Sequence, residues 1–284
     1  MPLFVAPDSS DVWANPNLFE LDEMGQPAKV AGVPPDYFSK TGQLWGNPLY
    51  KWDELAKDDY AWWRARFELL LKTVDIVRVD HFRGFEAYWA VPSGETTAVN
   101  GQWLKGPGIE FFATMRKYLG KLPIIAEDLG IITPEVDDLK NEFYFPGMKV
   151  LHFAFESNDD RCLPIIIDKN SVVYTGTHDN DTTVGWYNKL AAESPTTAKC
   201  VRELLGLADD SAAEIAGHRF VEYAYASNAD TVIIPFQDIL ELGSESRMNL
   251  PGTIGDNWEW RCLKSAFTPE LAGRLAELAA RYSR

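Results

Sequence analysis

The sequence predicts a parallel α/β barrel of the (β/α)8 TIM type, with about six of its eight strands present. Three observations carry this. Six short runs rich in β-branched residues, Leu3–Ala6, Ile76–Asp80, Ile124–Glu127, Lys149–Phe153, Val172–Thr175 and Thr231–Pro235, alternate with helical patterns. Most of these runs are continuously apolar, as in parallel strands covered on both faces. No glycine-rich phosphate loop follows the first run, and acids stand at run ends along the whole length, which favours a closed barrel over a doubly wound sheet.

Taken in order, Leu3–Ala6 is the first expected strand. A long insertion at about 8–53, punctuated by Asn15-Pro16, Pro34-Pro35 and Asn47-Pro48, separates it from the next helix. Loops of this length are commonly functional, and the aromatic content of this one suits a cleft wall. Asp59–Thr73 places Trp62, Phe67, Leu70 and Leu71 at helical spacing, and Ile109–Leu119 follows the same logic. Thr133-Pro134-Glu135 is a helix start, with a capping residue, a proline in the first turn and an acid after it. Ala212–Ala226 and Pro269–Tyr282 complete the helices. The whole of 1–284 is read as the C-terminal portion of one catalytic barrel, two βα units short on its N-terminal side.

Composition narrows the function. The formal net charge of −15 disfavours nucleic acid or an anionic membrane as partner, because both require a basic surface. Ten Trp and eleven Tyr fill a core or supply the flat faces on which sugars stack. Cys162, Cys200 and Cys262 are odd in number, widely spaced and without CxxC patterning, which favours reduced thiols, no zinc site and a cytoplasmic location. Met1–Pro7 has no basic start and no apolar stretch of signal-peptide length.

Three runs end in an acid: Asp80 after Arg78-Val79, Glu127 after Ile124-Ile125-Ala126, and Asp179 after the run at Val172. A retaining glycosidase or transglycosylase needs a carboxylate nucleophile and a carboxylic acid roughly 5–5.5 Å apart. Asp80 suits the first role, with Arg78 two residues back on the same face of the strand to keep it ionised. Glu127 suits acid/base work if burial and the Asp80 charge raise its pKa. Asp179 would bond sugar hydroxyls, with His81 and His178 donating beside the acids. Each acid alone also reads as a helix cap or salt-bridge partner. Asp, Glu and His together also suit a divalent metal, although Arg78 and Arg83 would put positive charge in the same pocket. His152 and His218 have no such context and read as structural.

These segments resemble one family closely. Arg78-Val79-Asp80-His81-Phe82-Arg83-Gly84, Ala126-Glu127-Asp128-Leu129-Gly130 and Gly176-Thr177-His178-Asp179-Asn180-Asp181-Thr182 are similar to the catalytic segments of 4-α-glucanotransferases, the amylomaltases of the α-amylase clan. The likeness continues through Asp8–Trp13, Pro34–Tyr50, Arg247–Thr253 and Asn257–Arg261. It implies Asp80 as nucleophile, Glu127 as acid/base and Asp179 as transition-state stabiliser. It further implies that Gln43 and Trp45 line the glucan path, that Asn249 touches a sugar, and that Asp128 lies among the substrate contacts. It implies no metal and no organic cofactor. The implied partners are a maltodextrin or other α-1,4-glucan donor, a sugar acceptor, and a separate N-terminal segment that completes the barrel. Family members are about twice as long, so a glucan-binding fragment without catalysis is the alternative to an active transferase, and hydrolysis within the same clan is a third reading.

Overall fold

The structure is a computed structural model that describes residues 1–36, 39–155, 166–209, 211–253 and 255–284. The chain divides into two compact units, Met1–Gly147 and Met148–Arg284.

The first unit begins with a short helix α1 (Ser10–Ala14), started by Ser9, whose Oγ accepts from the Val12 amide at 3.3 Å. Strands β1 (Lys29–Val33) and β2 (Gln43–Pro48) follow, then helices α2 (Trp52–Ala56) and α3 (Ala61–Leu71). Strand β3 (Val77–Val79) leads through a 3-10 turn at Phe82–Phe85 to β4 (Ala87–Pro92) and β5 (Gln102–Lys105). The unit continues with helix α4 (Gly108–Leu119), strand β6 (Ile124–Ala126) and helix α5 (Pro134–Glu142). β3 and β6 pair in parallel with Val77 opposite Ile124 and Val79 opposite Ala126, so both strands end side by side. A separate antiparallel sheet runs in the order β2-β1-β4-β5.

Aromatic packing holds this unit together. Trp63 and Phe67 of α3, Phe111 and Phe112 of α4, and Phe82 and Phe85 of the 3-10 turn are all fully buried. Phe85 and Phe111 lie 4.8 Å apart between ring centroids, and Trp63 meets Phe111 edge-on at 5.4 Å, an arrangement that adds to the area each ring removes from water. The turn that follows β3 is therefore bolted into the core. Phe111→Leu is expected to lower unfolding free energy by about 1–2 kcal/mol in urea titration.

The second unit opens within β7 (Gly147–Val150), followed by a 3-10 turn at His152–Phe155. Strand β8 (Ser171–Tyr174) is followed by helices α6 (Thr183–Glu193), α7 (Pro195–Leu205) and α8 (Ala213–Ala226). Strand β9 (Thr231–Ile233), helix α9 (Phe236–Ile239) and helix α10 (Pro269–Arg281) complete it. The sheet order is β7-β8-β9, with β8 and β9 parallel and Val173 opposite Val232. Trp186, Val201, Phe220 and Val173 form its core.

The structure corrects two expectations. Leu3–Ala6 is not a strand. Two of its carbonyls are taken by side chains instead, Leu3 O accepting from the Tyr50 hydroxyl at 2.9 Å and Val5 O from Asn47 Nδ2 at 2.8 Å, while the side chains of Leu3, Phe4 and Val5 fill the core. Residues 8–53, expected as an insertion, contribute α1 and two strands of the antiparallel sheet. Cys200 on α7 is disulfide-bonded and so is not a reduced thiol, because distance along the chain does not fix distance in space; Cys262 is a free thiol, and Cys162 lies outside the described residues. Among the described residues no helix is long and apolar enough to cross a membrane.

Candidate active site

In the first unit the two parallel strands deliver their terminal acids together. Asp80 follows β3 and Glu127 follows β6, and the Glu127 amide donates to Val79 O at 3.0 Å, extending the ladder to the acid itself. Arg78 Nη1 donates to Asp80 Oδ1 at 2.6 Å, as the two-residue period of a strand requires. The Asp80 side chain is half exposed, so this pair orients the carboxylate more than it stabilises the fold.

Glu127 is held far more tightly. Its Oε2 accepts from the His81 amide at 2.7 Å and its Oε1 from the Leu129 amide at 2.9 Å. Burial and then the neighbouring Asp80 charge push its carboxyl up from 4.5 to about 7, against the opposing pull of the Leu129 amide, Arg78 and the His81 amide. A carboxyl near 7 both gives and takes a proton at neutral pH.

His81 makes this clasp possible. Its backbone is left-handed at φ 51°, which begins the 3-10 turn right after Asp80 and sends its amide to Glu127. Its ring meets Trp45 edge-on at 4.8 Å and overlies Gly84, where a Cβ would come within 3.0 Å of His81 Cδ2 and 2.2 Å of Leu3 Cδ2. Burial lowers the imidazole to about 4, so it is neutral at pH 7, and Nε2 is buried without a hydrogen-bond partner among the described residues. Gln43 and Trp45 share one face of β2, with Trp45 Nε1 donating to Gln43 Oε1 at 3.1 Å. Tyr37 and Phe38 of the same sequence motif lie outside the described residues.

The Asp128 side chain is 4% exposed and accepts from Lys140 Nζ of α5 at 2.6 Å. A carboxylate so enclosed ties the end of β6 to α5. Lys140 was not singled out from sequence, since a lysine inside an acidic helix reads as a solvated charge.

In the second unit Asp179 stands on the segment after β8, with its side chain about half exposed. Asn249 Nδ2 donates to Asp179 Oδ1 at 2.7 Å, and Arg247 binds the same loop from its other side, Nη2 to Asp179 O at 2.6 Å and Nε to Asn249 O at 2.9 Å. His178 Nε2 lies 3.4 Å from Asp179 Oδ2, and its ring is 5.2 Å from that of Trp258. Arg247 was quoted in the sequence motif without a role; its alternation with Asn249 was the signal available. His152 is fully buried, stacked on Trp186 at 4.6 Å and 4°, and His218 lies 3.3 Å from Glu241.

The chain is similar to known proteins along its length. Residues 1–265 match a family model described as 4-alpha-glucanotransferase. The whole chain is 52% identical to a 4-alpha-glucanotransferase of Synechocystis, covering 56% of that protein. Over 98% of its length it is 47% identical to one of Thermus thermophilus, again covering 56%. The chain thus spans about half the length of these relatives. An amylomaltase from Streptococcus agalactiae, solved in complex with acarbose, superposes on all of the chain with a TM-score of 0.92 at 39% identity, and 57% of that protein is covered. This likeness gives the chain the TIM-barrel type of glycoside hydrolase fold.

Proposed function

The chain belongs to the 4-alpha-glucanotransferase family, and from that premise we propose that it transfers α-1,4-glucan segments between maltodextrins by a retaining double displacement. The single observation that carries this reading is Glu127, an acid poised near neutrality beside Asp80. The same reading makes the pairs β3–β6 and β8–β9 barrel strands and the antiparallel sheet an insertion.

In the first step an Asp80 carboxylate oxygen attacks the anomeric carbon. The bond to the bridging oxygen breaks, and Glu127 protonates that oxygen as the leaving glucan departs. In the second step Glu127, now a carboxylate, takes the proton of an acceptor hydroxyl whose oxygen displaces Asp80. Proton and bond counts close, and Glu127 returns to its starting form. Asp179, held by Asn249, would bond the hydroxyls of the distorted sugar, and the unpaired ring nitrogen of His81 is a group that a sugar hydroxyl would satisfy. Trp45 and Gln43 would line the path. A sugar acceptor competing with water favours transfer over hydrolysis.

Incubation with maltotriose is expected to give glucose and a ladder of longer maltodextrins, resolved by chromatography. Glucose and maltose alone would establish hydrolysis instead. Maltotriose binding without turnover would establish the non-catalytic alternative.

A further inference from the structure

The segment Thr175–Thr183 joins β8 to α6 and carries His178 and Asp179. Its apex is tied locally, with the Thr177 amide and hydroxyl donating to Asn180 Oδ1 at 2.8 and 2.9 Å. Its two ends run to one side chain outside the segment. Thr175 Oγ1 donates to Asp238 Oδ2 at 2.5 Å, and the Thr183 amide donates to Asp238 Oδ1 at 2.7 Å. Asp238, on α9, is 1% exposed, and Thr175, Thr183 and His152 are fully buried. His152 Nε2 lies 3.1 Å from Thr183 Oγ1, and a Cβ on Gly176 would come within 2.9 Å of His152 Cε1, so the imidazole packs directly against the segment.

We propose that Asp238 is a positioning residue for the transfer reaction, a buried carboxylate that clips both ends of the Thr175–Thr183 segment together and so fixes the backbone from which Asp179 projects. This rests on the role proposed above for Asp179.

Helix capping alone does not account for Asp238. The start of α6 already has its cap, the Thr182 hydroxyl accepting from the Gly185 amide at 3.1 Å. The bond to Thr175 adds nothing to the helix; it closes the loop. Burial raises the carboxyl of Asp238, a desolvation cost that the bonds from Thr175 and Thr183 partly offset. Asp179 is itself half exposed; Asn249 and Arg247 hold it from outside the segment, and the ends of the segment set the backbone that brings it to them. A misplacement of about 1 Å at a reacting group costs on the order of a hundredfold in rate.

Thr175→Val keeps shape and removes the donor; Thr175→Ser keeps the donor. In ligand-free Thr175→Val, amides of residues 176–182 are expected to exchange hydrogen about tenfold faster or more, with β8 and the middle of α6 unchanged and Thr175→Ser like wild type. In the maltotriose assay kcat is expected to fall roughly 10- to 100-fold with KM within about twofold, and Thr175→Ser to restore it. Unchanged exchange in 176–182, or faster exchange throughout the second unit, would overturn the proposal. Asp238→Asn carries the same test if Thr175→Val does not fold, and failure of both to fold also counts against a local clip. Should the wild-type chain make no ladder, the functional reading fails while the exchange measurement still decides the clip.

Discussion

Asp80→Asn is expected to abolish maltodextrin transfer, lowering the rate by more than about a thousandfold, or about 4 kcal/mol of barrier, while leaving the fold intact. The amide has the size of the carboxylate, and its oxygen still accepts from Arg78 Nη1, which lies 2.6 Å from Asp80 Oδ1 in the wild type. What it loses is the charge and the ability to form an ester with the anomeric carbon. A second readout is independent of turnover. The Asp80 charge is one of the two causes that raise Glu127, so Asp80→Asn is expected to move the Glu127 carboxyl down from about 7, as followed by carbon NMR of the labelled side chain. A ladder at wild-type rate would remove Asp80 from the mechanism, and an unmoved Glu127 would mean the two acids do not interact.

The parallel strands were legible because their chemistry is local. Val77–Val79, Ile124–Ala126, Ser171–Tyr174 and Thr231–Ile233 are short runs of apolar and β-branched residues, and three of the runs lead towards Asp80, Glu127 and Asp179. The antiparallel sheet was not legible by that test. β2 reads Gln43-Leu44-Trp45-Gly46-Asn47-Pro48, with a glycine, a proline and a largely exposed surface; it pairs with β1, which is in turn paired on its other edge with β4 far along the chain. Leu3–Ala6 fails for the opposite reason: its residues are apolar because they are buried, and burial does not require a ladder. Adjacent acids divide in the same way. Glu127 and Asp128 are neighbours, yet one is held by two backbone amides and the other by Lys140, a difference set by α5 and by the turn after Asp80. Asp238 was within reach, since the run Thr231–Pro235 also leads to an acid three residues on. The partners that give it meaning, Thr175 and Thr183, are some sixty residues away.

Glu127→Gln is expected to cost on the order of 10²- to 10⁴-fold in transfer rate and to gain stability relative to wild type as pH rises through neutrality. Both effects come from one carboxyl. The proposed mechanism needs Glu127 protonated for its first step, so on that reading kcat/KM for transfer is expected to fall as pH rises past about 7. The same raised value has a consequence for stability. Between 4.5, the ordinary value, and about 7 the unfolded chain has released this proton and the folded chain still holds it, so stability falls as pH rises through that window. The whole loss amounts to about 3 kcal/mol by pH 8, most of it between pH 5 and pH 8. Glutamine does not titrate and escapes it. Glutamine also sets an amide donor against the His81 or Leu129 amide, a fixed penalty that does not vary with pH. His81 and His152, whose imidazoles burial holds down at about 4 and about 3, remove stability as pH falls below 6.5, but in variant and wild type alike. The quantity to measure is therefore the difference in unfolding free energy between Glu127→Gln and wild type, by urea titration at pH 5 and pH 8. That difference is expected to shift by about 2–3 kcal/mol in favour of the variant at pH 8. If it stays constant across the two pH values, Glu127 titrates at its ordinary value and lacks the poise that acid/base catalysis at neutral pH demands.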